Sequence, residues 1–122
     1  VSVKSVFTSI LYQLFKNSIQ YKALNRKPQI ILKTKMTDND FIIQITDNGL
    51  GIDLNLKDKI FMPFKRLHFH TEGKGLGLFL AKYQAEMLRG NIEVQSEVNK
   101  FTTFTLLLPR TRNITEGIMI YD

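Results

Sequence analysis

Apolar residues recur along the chain with a spacing that changes from segment to segment. Over residues 5–22, Phe7, Leu11, Leu14, Phe15 and Ser18 return every three or four positions, which predicts an amphipathic helix with one buried stripe. At roughly 100° per residue, Gln13, Asn17, Gln20 and Tyr21 fall together beside that stripe. "KALNRKP" (22–28) reads as a loop. "QIILKTKM" (29–36) and "FIIQITD" (41–47) are β-branched runs separated by "TDND", so they predict a strand pair with a short turn. "LNLKDKIFMPF" predicts a short helix that stops before Pro63. Residues 65–75 lack a clean period and read as a loop. "GLFLAKYQAEMLRG" (77–90) predicts a strong helix with Gly90 as its C-terminal cap. "NIEVQSEV" (91–98) and "TTFTLLLP" (102–109) predict two more strands, and "GIMIY" offers a further one. The order predicts a two-layer α/β sandwich: a mostly antiparallel sheet with helices on one face.

Composition narrows this picture. A chain of 122 residues suits one domain, and 43% hydrophobic with 23% charged residues allows an ordinary core. No apolar run approaches the roughly 20 residues of a membrane helix, and no signal-peptide pattern is visible. The absence of cysteine excludes disulfides, thiolate catalysis and cysteine metal sites. The formal charge of +6 is spread along the chain, so a nucleic-acid partner is not expected. The chain does not begin with methionine and reads as a fragment of something longer.

Five of the seven glycines lie in two short motifs, "DNGLG" (47–51) and "GKGLG" (73–77). The second is not a P-loop, because Lys74 is followed by Gly75 rather than Ser or Thr. It is not a dinucleotide fingerprint either, because Leu78 stands where the third glycine belongs. Gly77 opens a helix whose free N–H groups and positive dipole end suit an anion. The first motif follows a strand, where Asp47 can accept a hydrogen bond from an exocyclic amine such as that of adenine. Taken alone, D-N-G reads better as a turn, with Asp47 a turn residue.

Four blocks in order give these motifs a context: "LYQLFKNSIQY" (11–21), "DNGLGI" (47–52), "IFMPFKRLH" (60–68) and "GKGLGLFLAK" (73–82). Together they resemble the asparagine, first glycine, phenylalanine and second glycine boxes of the catalytic ATP-binding domain of two-component sensor histidine kinases. That family shares the Bergerat fold with DNA gyrase, MutL-type repair ATPases and heat-shock chaperones. The resemblance implies ATP and Mg²⁺ as ligands. Asn17 matches the asparagine that holds Mg²⁺, Asp47 the adenine-binding aspartate, and Tyr21 the aromatic near base or ribose. Gly49, Gly51 and Ile52 would lie against the base. Residues 65–75 would form the ATP lid, with Arg66 and Lys74 near the phosphates and Asn17, Arg66 and Lys74 as the catalytic set. Gly73, Gly75, Leu76, Gly77 and Leu78 would form the lid hinge and phosphate cradle, while Phe64 and Thr103 complete the nucleotide contacts. Phe61 and Phe64 are expected to pack beneath the lid.

The sequence also departs from the family pattern. Gln13 stands where the hydrolysing relatives carry glutamate, and glutamine is no general base at neutral pH, so an autonomous hydrolase is disfavoured. Gln20 replaces a lysine, and Asn99 and Phe101 replace glycines in a turn expected to be remote from ATP. His68 and His70 lack the acidic neighbour of a phosphoacceptor. The resemblance therefore implies a kinase domain at 1–110, with 111–122 as a tail or linker, that donates the γ-phosphoryl of ATP to a histidine elsewhere. The implied partners are the dimerisation domain of the same kinase and a downstream response regulator. The isolated domain is expected to be monomeric, cytoplasmic and without membrane contact. A degenerate interaction module of the same fold and a hydrolysing ATPase are the alternatives.

Overall fold

The computed structural model describes residues 2–56, 59–63, 76–111 and 114. The first helix, α1, spans Val3–Gln20 and begins where the Ser2 hydroxyl accepts the Ser5 N–H at 3.1 Å. It ends as the Tyr21 N–H donates to the Asn17 carbonyl. Its buried side chains are Val6, Phe7, Ile10, Leu14 and Ser18, with Leu11 and Phe15 only partly covered. The expected stripe is thus turned toward Val6 and Ile10. The helix is wedged between the sheet and a second helix, so two neighbours rather than one set its buried face.

Four strands form one sheet: β1 Ile30–Met36, β2 Asp40–Asp47, β3 Asn91–Glu97 and β4 Phe101–Pro109. Their order is β1-β2-β4-β3, and every pairing among the described residues is antiparallel. The two-layer α/β architecture is therefore present. In β2, the odd residues Phe41, Ile43, Ile45 and Asp47 face the helices and are buried; in β4 the even residues Thr102 to Leu108 do so. β1 is an edge strand whose side chains are mostly exposed.

The second helix, α2, spans Gly77–Met87 and packs on α1 through Ala81 and Ala85, small residues that let the two backbones approach. Its C-terminus corrects the expected cap. The Gly90 N–H bonds the Ala85 carbonyl and the Arg89 N–H the Glu86 carbonyl, and the left-handed residue is Arg89 at φ 61°. Gly90 is instead required by close approach, because a Cβ there would meet the Leu107 carbonyl oxygen at 2.2 Å. The short helix expected after residue 53 is a single 3-10 turn, Leu54–Leu56. Further on, Ile60 is buried and Phe61 meets Phe104 edge-on at 6.4 Å. Ile114, inside the expected tail, belongs to the core with Phe104, Leu106 and Leu108. The candidate strand "GIMIY" lies outside the described residues.

Candidate functional site

β2 ends at Asp47 on its helix-facing side, where the preceding odd residues are core isoleucines. The alternation therefore forces a carboxylate into an apolar position, and Asp47 is only 6% exposed. Burial raises its pKa above the ordinary 3.8, while the Gly49 N–H, donating to Oδ1 at 2.9 Å, and the neighbouring Ser18 hydroxyl pull it back down. Ser18 itself is 3% exposed, and its Oγ adjoins the carboxylate without a fully formed hydrogen bond. A buried carboxylate beside an unsatisfied hydroxyl is a polar pair prepared for a further partner.

The backbone after Asp47 is shaped for close approach. A Cβ on Gly49 would lie 2.5 Å from the Tyr21 carbonyl oxygen and 2.8 Å from Asp47 Oδ1. Gly51 has φ 72°, and a Cβ there would lie 2.2 Å from the Glu97 carbonyl oxygen. The Leu50 N–H donates to the Tyr21 carbonyl, and the Asn99 N–H to the Leu50 carbonyl at 2.7 Å. The β3–β4 turn is thus stitched to the first glycine motif, not remote from it. Asn99 fills its left-handed position at φ 64°, which asparagine tolerates in place of glycine.

The helices supply the other wall. Asn17 and Tyr21 are partly exposed near the C-terminal end of α1. Gln13, one turn before Asn17, puts Oε1 about 3.0 Å from where a Gly77 Cβ would stand, so this side of α1 meets the start of α2. α2 begins from Leu76 without a side-chain cap among the described residues, and a helix start of this kind could offer first-turn N–H groups to an acceptor. Leu78 and Ile52 are buried in the core between these elements.

Thr103 is not brought to this site. Its hydroxyl bonds Thr46 at 2.8 Å, and both lie on the sheet face opposite Asp47. A strand reverses faces at every residue, so the register partner of Asp47 is Thr102. Thr102 is buried and bonded to Ser96 at 2.9 Å. Ser96 Oγ donates to the Phe101 carbonyl and accepts the Ile52 N–H, so Thr102 is the donor of that pair and keeps an acceptor lone pair. Phe64, Arg66, Gly73, Lys74 and Gly75, with the lid and both histidines, lie outside the described residues. Ser18 was legible only as a polar residue on an apolar stripe; nothing local in the sequence marked Thr102 or Arg26.

A buried carboxylate, a glycine-lined backbone and a helix start are groups that could hold a nucleotide. No group of three or more His, Cys, Asp or Glu gathers among the described residues, and Asn17 could offer its amide oxygen to Mg²⁺. An amide oxygen suits Mg²⁺, which keeps several waters and phosphate oxygens as its other ligands.

Comparison with known proteins shows the family and the fold. The model of the "Histidine kinase-, DNA gyrase B-, and HSP90-like ATPase" family matches residues 3–112. Cyanobacterial phytochrome A of Nostoc sp. is 35% identical over 105 residues, covering 81% of this chain and 14% of that protein. The signal transduction histidine-protein kinase ArlS of Staphylococcus aureus is 35% identical over 105 residues, covering 83% of this chain and 23% of that protein. The chain thus spans under a quarter of these relatives. Among solved structures, a mycobacterial sensor histidine kinase, MprB, superposes with a TM-score of 0.74 at 20% identity, covering 86% of this chain and 72% of that one.

Proposed function

The chain belongs to the family of histidine kinase-, DNA gyrase B- and HSP90-like ATPases, and from that premise we propose that it binds Mg·ATP and donates the γ-phosphoryl to a histidine on a separate dimerisation domain. The observation that carries this reading is the buried Asp47 carboxylate, held by the Gly49 N–H and flanked by the buried Ser18 hydroxyl. A carboxylate accepts from the exocyclic amine of adenine but repels the carbonyl oxygen that guanine shows at the same place. Asn17 would hold Mg²⁺ through its amide oxygen, and the ion would supply charge neutralisation along the triphosphate when bound. The first-turn N–H groups of α2 face the phosphates, with Lys74 and Arg66 adding positive charge as the phosphoryl moves.

In the transfer, an imidazole nitrogen of the acceptor histidine forms the P–N bond while the bond from the γ-phosphorus to the bridging oxygen breaks and ADP leaves. Gln13 cannot take a proton from water, which favours transfer to histidine over hydrolysis. The acceptor lies on the dimerisation domain of the same kinase, and a response regulator receives the phosphoryl afterwards. The isolated domain is a monomer and acts on the cytoplasmic side. Mixing the chain with its native dimerisation segment and γ-labelled ATP tests the reading. Label on the segment's histidine, lost with Asn17→Ala, is expected; steady phosphate release without labelled segment would overturn it.

A further inference from the structure

Arg26 lies in the connection between α1 and β1, at none of the positions expected to touch nucleotide. Its Nε donates to the Asn48 carbonyl at 2.7 Å, and its Nη2 donates to the carbonyls of Gly49 and Asn99, each at 2.7 Å. Nη1 reaches Asn25 Oδ1 at 3.2 Å. Among the described residues no carboxylate forms an ion pair with it. The guanidinium is thus spent on backbone carbonyls of two distant segments, the first glycine motif and the β3–β4 turn. Its rigid planar fork suits that task, whereas a lysine ammonium offers no such fork.

The consequence follows from peptide planarity. The Asn48 carbonyl and the Gly49 N–H belong to one peptide unit, so fixing one fixes the other. Arg26 holds the carbonyl edge of this plane, and Asp47 Oδ1 accepts from its N–H edge at 2.9 Å. The neighbouring peptide is held in the same way through the Gly49 carbonyl. Asn48 braces the loop from the other side, its amide donating to the Lys27 carbonyl and accepting the Gln29 N–H.

We propose that Arg26 is a positioning residue for nucleotide binding: it fixes the Asn48–Gly49 peptide, and through it the orientation of the Asp47 carboxylate that meets the base. This rests on the ATP-binding reading above. The test is calorimetric titration of Mg·ADP into the 122-residue chain and its Arg26→Met and Arg26→Lys variants. It is paired with the Gly49 amide resonance of each nucleotide-free protein and a circular dichroism melt. Arg26→Met is expected to weaken ADP by roughly tenfold and to move the Gly49 resonance, with Arg26→Lys recovering part of both. Should Arg26→Met fail to fold, the milder Arg26→Lys carries the same comparison. Variants that melt earlier yet bind ADP within about twofold of the wild type, with the Gly49 resonance in place, would reduce Arg26 to a structural tie and overturn the proposal. A wild type that binds no ADP would instead overturn the nucleotide reading on which it rests.

Discussion

In the first glycine motif, the chain closes most of its backbone bonds on itself: Gly49 to Asp47, Leu50 to Tyr21 and Asn99, and the Asn48 and Gly49 carbonyls to Arg26. At the end of the second motif, α2 starts from Leu76 with no side-chain cap among the described residues. The contrast is not a habit of this chain's helices, because α1 begins with a capping serine. In the proposed ATP site this is the base end, built in advance because a flat heterocycle is recognised by shape and a few fixed hydrogen bonds. The phosphate end of the proposed site would rely on the N–H groups and dipole of α2, since charge is what it has to meet. In the proposed site the first glycine motif closes on itself, and the start of α2 is the part that would meet charge.

Substitutions at the closed end should do the most damage. Gly51→Ala combines a left-handed φ with a Cβ 2.2 Å from the Glu97 carbonyl oxygen, and should cost about 3 kcal/mol of stability in denaturant titrations. Gly49→Ala meets backbone without the φ penalty and should cost about 2 kcal/mol, with ADP binding lost as the motif moves away from Tyr21. A fully stable Gly51→Ala would mean that the motif is less closed than the hydrogen bonds describe.

Asn17→Ala probes the wall shared by both ends. It should weaken ATP by roughly tenfold in the presence of Mg²⁺ and change little in its absence, measured by calorimetry in both buffers. Equal losses in the two buffers would assign Asn17 to the base end instead.

Asp47 gives the smallest effect on stability, and one of unusual sign. Burial raises its pKa, so the folded protein holds the proton more firmly than the unfolded chain. The stability this proton provides is present in acid and is lost as pH rises through the folded value. At neutral pH the ionised carboxylate therefore costs stability. Asp47→Asn should melt at the same or a higher temperature, by about 1 kcal/mol at most, seen by circular dichroism. In the wild type, ADP binding should weaken on acidification from above the ordinary 3.8, because the protonated carboxyl accepts the adenine amine poorly. A marked fall in melting temperature for Asp47→Asn at neutral pH would contradict the sign.

How much of this was legible in the sequence depends on the range of the interactions involved. Both helices and all four strands follow from local period and β-branching, whereas Asp47 and the glycines stood out only because four motifs in order resemble those of a family. The turn of α1 toward Ile10 was not legible, because a second packing partner decides it. Thr103 was placed one residue off: in "FTTF" either threonine reads alike, and only the strand register sends Thr102 to the face of Asp47. Arg26 was invisible for a similar reason, since its acceptors are carbonyls up to 73 residues away and a carbonyl leaves no mark in a sequence.

The central claim is that Asp47 reads an adenine base at the closed end of this site. Calorimetric titration of Mg·ADP into the wild type and Asp47→Asn, side by side, tests it most directly. The expected result is saturable binding at one site per chain by the wild type and a loss of about 100-fold or more in a variant that remains folded. No binding by the wild type, or equal affinity in the two proteins, would contradict it.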